Sequence, residues 1–370
     1  MKTIMYIRAN GIYSDSRATK EILTFLKAGY SLILVGWDRE GNSENKCKIV
    51  FDGYQDRIKY SFYDFQVKDH VGFKNINKLY NWLKHVKKTL LDNHDSIYAV
   101  HACNLDTVLL CYKSLKKLGI KLVYDIFDYY VDGHASIPGI LRPVVENCEI
   151  SIINRSDVTI ICTEERREQI AKANPSKVIV IHNTPEVEFL HNEIKYDYFY
   201  CGTFCIQRLI EEILDEYKNN TDLVFGFAGY GLYKDKAIAM DNKYENFTYL
   251  GQVMYSDCLD NESRAVCLSA IYEPTIRNHR LCAPNKFYES LALGKPQIVC
   301  KGTGIDRIVE ENQIGIVIDY DVKQFYNAVR FLKSNPDICD AMGKRARVLY
   351  ENKYNWEIMS SILLEAYASL

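Results

Sequence analysis

Short apolar runs alternate with longer stretches whose apolar positions recur every three or four residues, and this alternation repeats along most of the chain. The first kind predicts buried strands and the second predicts amphipathic helices. Strands are expected at 3–7, 30–37 (YSLILVGW), 46–51, 59–62, 96–101 and 121–125. A helix over 15–28 ends at Gly29, and one over 106–118 ends at Gly119, both natural stops. The helix over 75–91 carries Leu79, Trp82, Leu83, Val86 and Leu90 on one stripe. After a loop containing Pro138 and Gly139, a helix leads to a strand at 157–163, and another helix precedes a strand at 177–182.

The pattern pauses over HNTPEVEFLHNEIKYD (182–197), which is polar and aperiodic and reads as a linker. It then restarts with strands at 198–200, 223–228, 247–250, 265–269, 297–300 and 316–318, and helices over 206–217 and 285–293. Strands joined by helices of ten or more residues make parallel sheets with helices on both faces. The expectation is therefore an α/β chain of two Rossmann-like domains, 1–183 and 198–354, joined by 184–197. A terminal helix over 355–370 needs a surface to cover, since alone it is marginal; packing back on the N-terminal domain supplies one.

The length of 370 residues agrees with two domains. A net charge of −2 gives no overall electrostatic reason to wrap a polyanion, so nucleic acid is not an expected partner. Twelve scattered cysteines include no C-x-x-C pair, read as small buried apolar side chains, and suit a reducing cytoplasm. No run of 18 apolar residues occurs, so any membrane role is expected to be peripheral.

Open parallel sheets bind ligands at the carboxyl ends of their strands, where the winding reverses. After the first strand comes RANGIYSDSR, in which Gly11 permits close backbone approach; as it is not G-x-G-x-x-G, it gives no support for dinucleotide binding in the first half. YCGTFCIQR sets Gly202 after a strand and Arg208 at a helix start, and arginine suits phosphate. FAGYG sets Gly229 and Gly231 after another strand. The most informative stretch is APNKFYESLALGKPQIVCKGTGIDRIVEENQIGIVI (283–318). Asn285 and Lys286 open a helix whose N–H groups and ammonium suit a diphosphate. Glu289 lies three residues on, on the same side, able to accept from a ribose diol. Gly302 and Gly304 follow the next strand.

That stretch is similar to the P-N-K-x-x-E-x-x-A-x-G-K-P signature of GT-B glycosyltransferases of family 4, the retaining, sugar-nucleotide-dependent glycosyl transferases group 1. DSRATKEILTFLKAGYSLILVGW, YAVHACNLDTVLL, KLVYDIFDYY, VIVIHNTP and FYCGTFCIQR resemble further family segments, so the likeness runs from about residue 1 to 355. It implies two Rossmann-like domains facing a central cleft, with the donor held by the C-terminal one and the acceptor by the N-terminal one. Glu289 would bind ribose, and Arg208 and Lys286 would neutralise the departing diphosphate, so that no metal or cofactor is needed. The donor would be a UDP- or GDP-sugar, with Gly11, Gly202, Gly229, Asn285, Gly302 and Gly304 also around it. His101, Asp106, Asp125 and Asp128 would touch the sugar or orient the acceptor hydroxyl. The acceptor would be a carbohydrate or lipid-linked molecule in surface polysaccharide or glycoconjugate synthesis, at the inner face of the plasma membrane.

The chain departs from the family at Leu281, where a second glutamate is common, and at Cys103, Asn104 and Phe127, where histidine or aspartate is usual. A non-catalytic scaffold that binds a nucleotide or a partner is therefore the rival reading, and a sugar-nucleotide epimerase a third. Lys78, Lys84, Lys87 and Lys88 on the 75–91 helix suit either a solvated face or an anionic membrane.

Overall fold

The computed structural model describes residues 2–65, 76–134, 136–188, 190 and 192–370. Phe189 and His191 of the expected linker, and Asn75 at the expected start of the long helix, lie outside the described residues. The chain forms two compact units, Met1–His182 with Met359–Leu370, and Asn183–Ile358.

The first unit contains β1 (Thr3–Arg8), α1 (Ser16–Lys27), β2 (Ser31–Asp38), α2 (Ser43–Val50), β3 (Ile58–Asp64), α3 (Ile76–Asn93) and β4 (Ile97–Cys103). There follow α4 (Leu105–Val108), α5 (Tyr112–Leu115), β5 (Lys121–Asp125), α6 (Tyr130–Gly133), α7 (Arg142–Ile153), β6 (Val158–Ile161) and β7 (Val178–Val180). The strands form one sheet in the order β3-β2-β1-β4-β5-β6-β7, and every pairing is parallel. Helices cover both faces of such a sheet, which is why the strands read as continuous apolar runs rather than alternating ones. The stripe on α3 packs Trp82 against Trp37 of β2, with ring centroids 5.8 Å apart.

Two expectations are corrected here. Residues 46–51 form no strand; the segment is the helix α2 and the turn after it. Cys47 and Phe51 are both fully buried, a helical i,i+4 spacing, while Ile49 between them is 77% exposed. The Asp38 carboxylate starts this helix by accepting from the backbone N–H groups of Gly41 and Ser43 and from the Ser43 hydroxyl. The single helix expected over 106–118 is three short pieces, interrupted at Cys111, whose φ of −125° is not helical.

The second unit contains β8 (Tyr196–Phe204), α8 (Ile210–Glu216), β9 (Phe225–Gly231), α9 (Lys234–Lys243), β10 (Phe247–Tyr249), α10 (Tyr255–Ser263) and β11 (Ala265–Ala270). It continues with α11 (Arg277–Arg280), α12 (Asn285–Leu293), β12 (Gln297–Cys300), α13 (Ile305–Asn312), β13 (Gly315–Ile318), α14 (Val322–Ser334) and α15 (Pro336–Leu349). The sheet order is β10-β9-β8-β11-β12-β13, again with parallel pairings throughout. Its core is aromatic: Tyr198 lies 5.1 Å from Phe225 and 4.9 Å from Phe325. Gly294 in the left-handed region ends α12.

The last helix, α16 (Trp356–Ala368), contributes Met359, Leu363 and Tyr367 to the first unit as buried residues four apart. Tyr367 packs edge-on against Phe25, 4.6 Å away. In each sheet the winding reverses beside the first strand of the unit, between β1 and β4 and between β8 and β11. The carboxyl ends of those strands are where a parallel sheet offers a crevice.

Candidate functional site

In the second unit that crevice brings together Gly202, Arg208, Lys286 and Glu289 of the residues expected from sequence. Gly202, two residues before the end of β8, has a φ of 156°; a Cβ there would lie 3.0 Å from Cε and 3.2 Å from Nζ of Lys286. The absence of a side chain lets the Lys286 ammonium lie against the end of β8, 4.8 Å from the centre of the Tyr200 ring. Arg208, in the 3₁₀ turn Ile206–Arg208, lies 4.4 Å from the centre of the Tyr272 ring and donates to the Tyr272 hydroxyl at 3.0 Å. Tyr272 comes two residues after β11, and Tyr200 meets both cations. Two cations thus meet at the switch point of the sheet, held by aromatic rings and phenols.

Behind Lys286 lies a carboxylate pair. Glu262 of α10 is 3.6 Å from Nζ of Lys286, and Glu289 is 4% exposed and shares a hydrogen bond with Tyr255. Burial opposes the charge on Lys286, but Glu262 and Glu289 outweigh it and keep the ammonium protonated well above the usual lysine range. Burial, reinforced by Glu289, pushes the Glu262 carboxyl up, against the pull of Lys286. Among the described residues Oε2 of Glu262 has no hydrogen-bond partner.

The remaining donor candidates divide. Asn285 begins α12, is exposed, and its side-chain oxygen accepts from Asn183 at 2.7 Å. Gly302 donates its N–H to Asp306 at 2.6 Å and has open space where a Cβ would be, with only Pro274 within reach at 3.5 Å. Gly304, with a φ of 80°, precedes α13. Gly229 has a structural reason of its own: a Cβ would lie 1.9 Å from the carbonyl oxygen of Gly202, its partner across the β8–β9 ladder. Gly11 belongs to the first unit, and the space beside it is taken by the Ser43 hydroxyl and the Tyr13 ring, each 2.8 Å from an added Cβ.

In the first unit His101 is fully buried and engaged on both ring nitrogens. Nδ1 is 2.8 Å from the Tyr367 hydroxyl, and Nε2 is 3.3 Å from both Asp125 and Glu21. Arg17 binds Glu21 at 2.9 Å and Asp125 at 2.6 Å. Burial alone would favour a neutral imidazole, but Tyr367, Asp125, Cys103 and Glu21 raise its pKa well above the ordinary histidine value. This places His101 in the interior, not where an acceptor would meet it. His101, Cys103 and Asp125 bring potential ligand atoms within 4.8 Å of one another, a spacing a metal would accept. Arg17 already occupies Asp125 and supplies the positive charge there.

Asp106 and Asp128 lie at the carboxyl edge. Oδ1 of Asp106 is buried without a partner among the described residues, and burial raises its pKa against the pull of Arg8, His134 and Arg39. Asp128 is half-exposed and pairs with Arg166 at 3.3 Å. The Asn104 side chain ties this edge together by accepting from the N–H of Phe127 at 2.9 Å. Tyr200, Tyr272, Glu262, Arg17, Glu21 and Arg39 were not singled out from the sequence. For Tyr272 and Arg39 a signal exists, since each lies within two residues of the end of a strand; Glu262 and Glu21 sit in helices that say nothing of their partners.

A cavity of about 600 Å³ lies at the opposite end of the first sheet from its switch point, lined by Lys113, Lys116, Lys121 and Arg155 near the amino end of β5. On α3, Lys84, Lys87 and Lys88 are exposed while Trp82, Leu83, Val86 and Leu90 are buried in the core. Among the described residues no helix is long and apolar enough to cross a membrane.

Residues 187–349 match the family described as Glycosyl transferases group 1. Spore coat protein SA of Bacillus subtilis is 30% identical over 104 residues, 28% of this chain. The match spans about a quarter of that relative, 26% of its length. Sucrose-phosphate synthase from Thermosynechococcus elongatus superimposes with a TM-score of 0.74 at 11% identity, covering 100% of this chain and 99% of that one. The pneumococcal O-GlcNAc transferase GtfA, solved with UDP and GlcNAc, gives 0.69 at 11% identity over 100% and 99%. A glycosyltransferase from Rickettsia africae gives 0.65 at 13% identity over 100% and 98%. These likenesses establish the GT-B architecture, and together with the family match over 187–349 they support a GT-B glycosyltransferase.

Proposed function

We propose that the chain is a retaining glycosyltransferase that moves a sugar from a UDP- or GDP-sugar to an acceptor hydroxyl, with the donor bound by the second unit and the acceptor by the first. The observation that carries this reading is the meeting of Lys286 and Arg208 around Tyr200 at the β8/β11 switch point, with Lys286 lying against Gly202. Cations held by aromatic faces keep their charge available to an anion. A diphosphate here would meet both, and the leaving group would be neutralised without a metal. Glu289, one turn along α12, would take the ribose diol on exchanging its bond to Tyr255.

Calorimetry with UDP and GDP tests the nucleotide site, and release of sugar from UDP- and GDP-sugars in the presence of EDTA tests turnover. Lys286→Ala and Glu289→Ala with intact folds should each lose at least tenfold in turnover; full activity in both removes the reading. A nucleotide-binding scaffold without catalysis is the second reading. It is favoured by Phe127, whose ring is 4.2 Å from the Arg8 guanidinium carbon and 4.6 Å from that of Arg17. Nucleotide binding without turnover on any donor would select it. Assembly of a surface polysaccharide or glycoconjugate at the inner membrane face is the proposed setting. With the apolar stripe of α3 buried, membrane contact would rest on Lys84, Lys87 and Lys88, and flotation with anionic vesicles tests it.

A further inference from the structure

The cavity at the amino end of the first sheet gathers charge of one sign. It measures about 600 Å³, and its lining sets Lys113, Lys116, Lys121 and Arg155 against a single carboxylate, Asp157. Three stretches of chain supply them: α5 with the 3₁₀ turn after it (Lys116–Leu118), the first residue of β5, and the residues between α7 and β6. Asp157 is already committed. It accepts from the Lys121 ammonium at 3.1 Å and from the backbone N–H of Leu122 at 2.9 Å, which ties the starts of β5 and β6 together. Among the described residues no carboxylate pairs with Lys113, Lys116 or Arg155, and all three are exposed. Lys113 and Arg155 approach the same ring, that of Tyr112, at 5.7 and 5.8 Å from its centre. Arg155 is fixed there through Nη1, which donates to the Ser151 hydroxyl at 2.6 Å and to the Ser151 carbonyl at 3.1 Å.

The backbone dipole of α7 favours a cation just past its carboxyl end and accounts for Arg155 there. It offers little to Lys113 and Lys116, because α5 has only four residues. Like charges brought to one concavity repel one another, and its low-dielectric walls concentrate their field on whatever enters. A neutral sugar would leave that repulsion in place, and a singly charged anion would offset only one of the three unpaired cations. We propose that this cavity binds an organic phosphate carrying at least two negative charges, held by Lys113, Lys116 and Arg155. The guanidinium supplies paired donors to phosphate oxygens, and the two ammonium groups act as point charges. The volume falls within the roughly 300–1,000 Å³ of small-molecule sites, which leaves room for an organic portion beside Tyr112 and Leu115. Every residue of the site belongs to the first unit, so it stands apart from the donor cations of the second.

Calorimetry on the full chain with inorganic pyrophosphate and with glucose 6-phosphate, and with glucose as the uncharged control, tests the site. At least one phosphate should bind the wild type and glucose should not compete with it. Lys113→Gln combined with Arg155→Gln should weaken that binding at least tenfold. Lys84→Gln combined with Lys87→Gln removes the same charge from the exposed face of α3 and should leave the affinity within twofold. All four side chains are exposed, and circular dichroism establishes that both double variants are folded. Pyrophosphate held at the donor cations instead would survive the cavity variant and be lost in Arg208→Ala. Flotation with phosphatidic-acid vesicles identifies the source of the phosphate: capture that needs Lys113 and Arg155 assigns it to a lipid headgroup, and phosphate binding without such capture assigns it to a solute. Equal weakening by the two double variants, binding lost only in Arg208→Ala, or neither phosphate binding nor cavity-dependent capture overturns the site.

Discussion

The two sheets share a strand order, with the first strand of each unit beside the reversal of winding, yet they close that reversal differently. In the first unit the charged groups next to it neutralise one another: Arg17 binds Glu21 and Asp125, and His101 lies against both carboxylates, all fully buried. In the second, Arg208 and Lys286 lean on Tyr272 and Tyr200, and the nearest carboxylate contact to Lys286 is 3.6 Å from Glu262. A cation surrounded by carboxylates at hydrogen-bond distance stabilises its own fold and has little left for a ligand. Arg208 is held by the ring and the phenol of Tyr272, whereas the charge of Lys286 is partly balanced by Glu262 and Glu289. The same topology therefore yields a structural knot in one unit and, in the other, the cation pair on which the proposed nucleotide site rests.

The largest expected effect breaks the knot. Arg17→Ala leaves Glu21 and Asp125 buried together without their counter-charge, a change that costs about 3–5 kcal/mol in comparable buried pairs. Arg208→Ala removes a cation–aromatic contact of about 0.5–1 kcal/mol near the surface. Urea titrations followed separately for the two units should show a much larger shift for Arg17→Ala in the first than for Arg208→Ala in the second. Equal shifts would mean that the contrast between them is not energetic. The next effect is on ligand: Arg208→Ala should weaken UDP at least tenfold, about 1.4 kcal/mol. Unchanged affinity in calorimetry would remove Arg208 from the site.

How much of this was legible follows from what each feature depends on. Parallel sheets follow from the alternation of strands and helices along the chain, so both could be read from their apolar runs, and α12 and β12 fall at 285–293 and 297–300 as expected. The cations of the second unit were legible because Arg208 lies just after a strand and Lys286 at a helix start. The knot was not. Arg17, Glu21, His101, Asp125 and Tyr367 come from both ends and the middle of the chain, and only packing brings them within 3.3 Å of a shared partner. His101 was read as a reactive group for the same reason: a sequence shows a histidine at a strand end, not the two carboxylates and the phenol that enclose it. The α2 segment failed differently, since Lys-Cys-Lys-Ile imitates a strand and only the burial of Cys47 and Phe51 reveals the helical period.

A smaller effect concerns pH. The pKa of His101 is raised on folding, by Tyr367, Asp125, Cys103 and Glu21 acting against burial. Its contribution to stability is then complete below the unfolded value of about 6.5 and is lost as pH rises through the folded value. The first unit should lose stability between those limits, and His101→Asn should be less stable at pH 6 yet flatter in its dependence above 6.5. Denaturant midpoints across that range measure both slopes; identical slopes would show that the charge on His101 plays no part in the knot.

The smallest effect isolates one bond of the knot. Tyr367 donates to or accepts from Nδ1 of His101 at 2.8 Å, and its ring also packs 4.6 Å from Phe25. Tyr367→Phe removes the hydroxyl and keeps the ring, so it separates hydrogen bonding from the apolar docking of α16. The expected loss is about 1 kcal/mol, the net value of one such bond, with UDP affinity unchanged because Lys286, Arg208 and Glu289, proposed to hold the nucleotide, belong to the other unit. A loss as large as that of Arg17→Ala would mean that the hydroxyl, rather than the carboxylates, holds the imidazole charged. In that case the contrast between the units would have to be redrawn around α16, since the knot would depend on the last turns of the chain more than on the sheet beneath them.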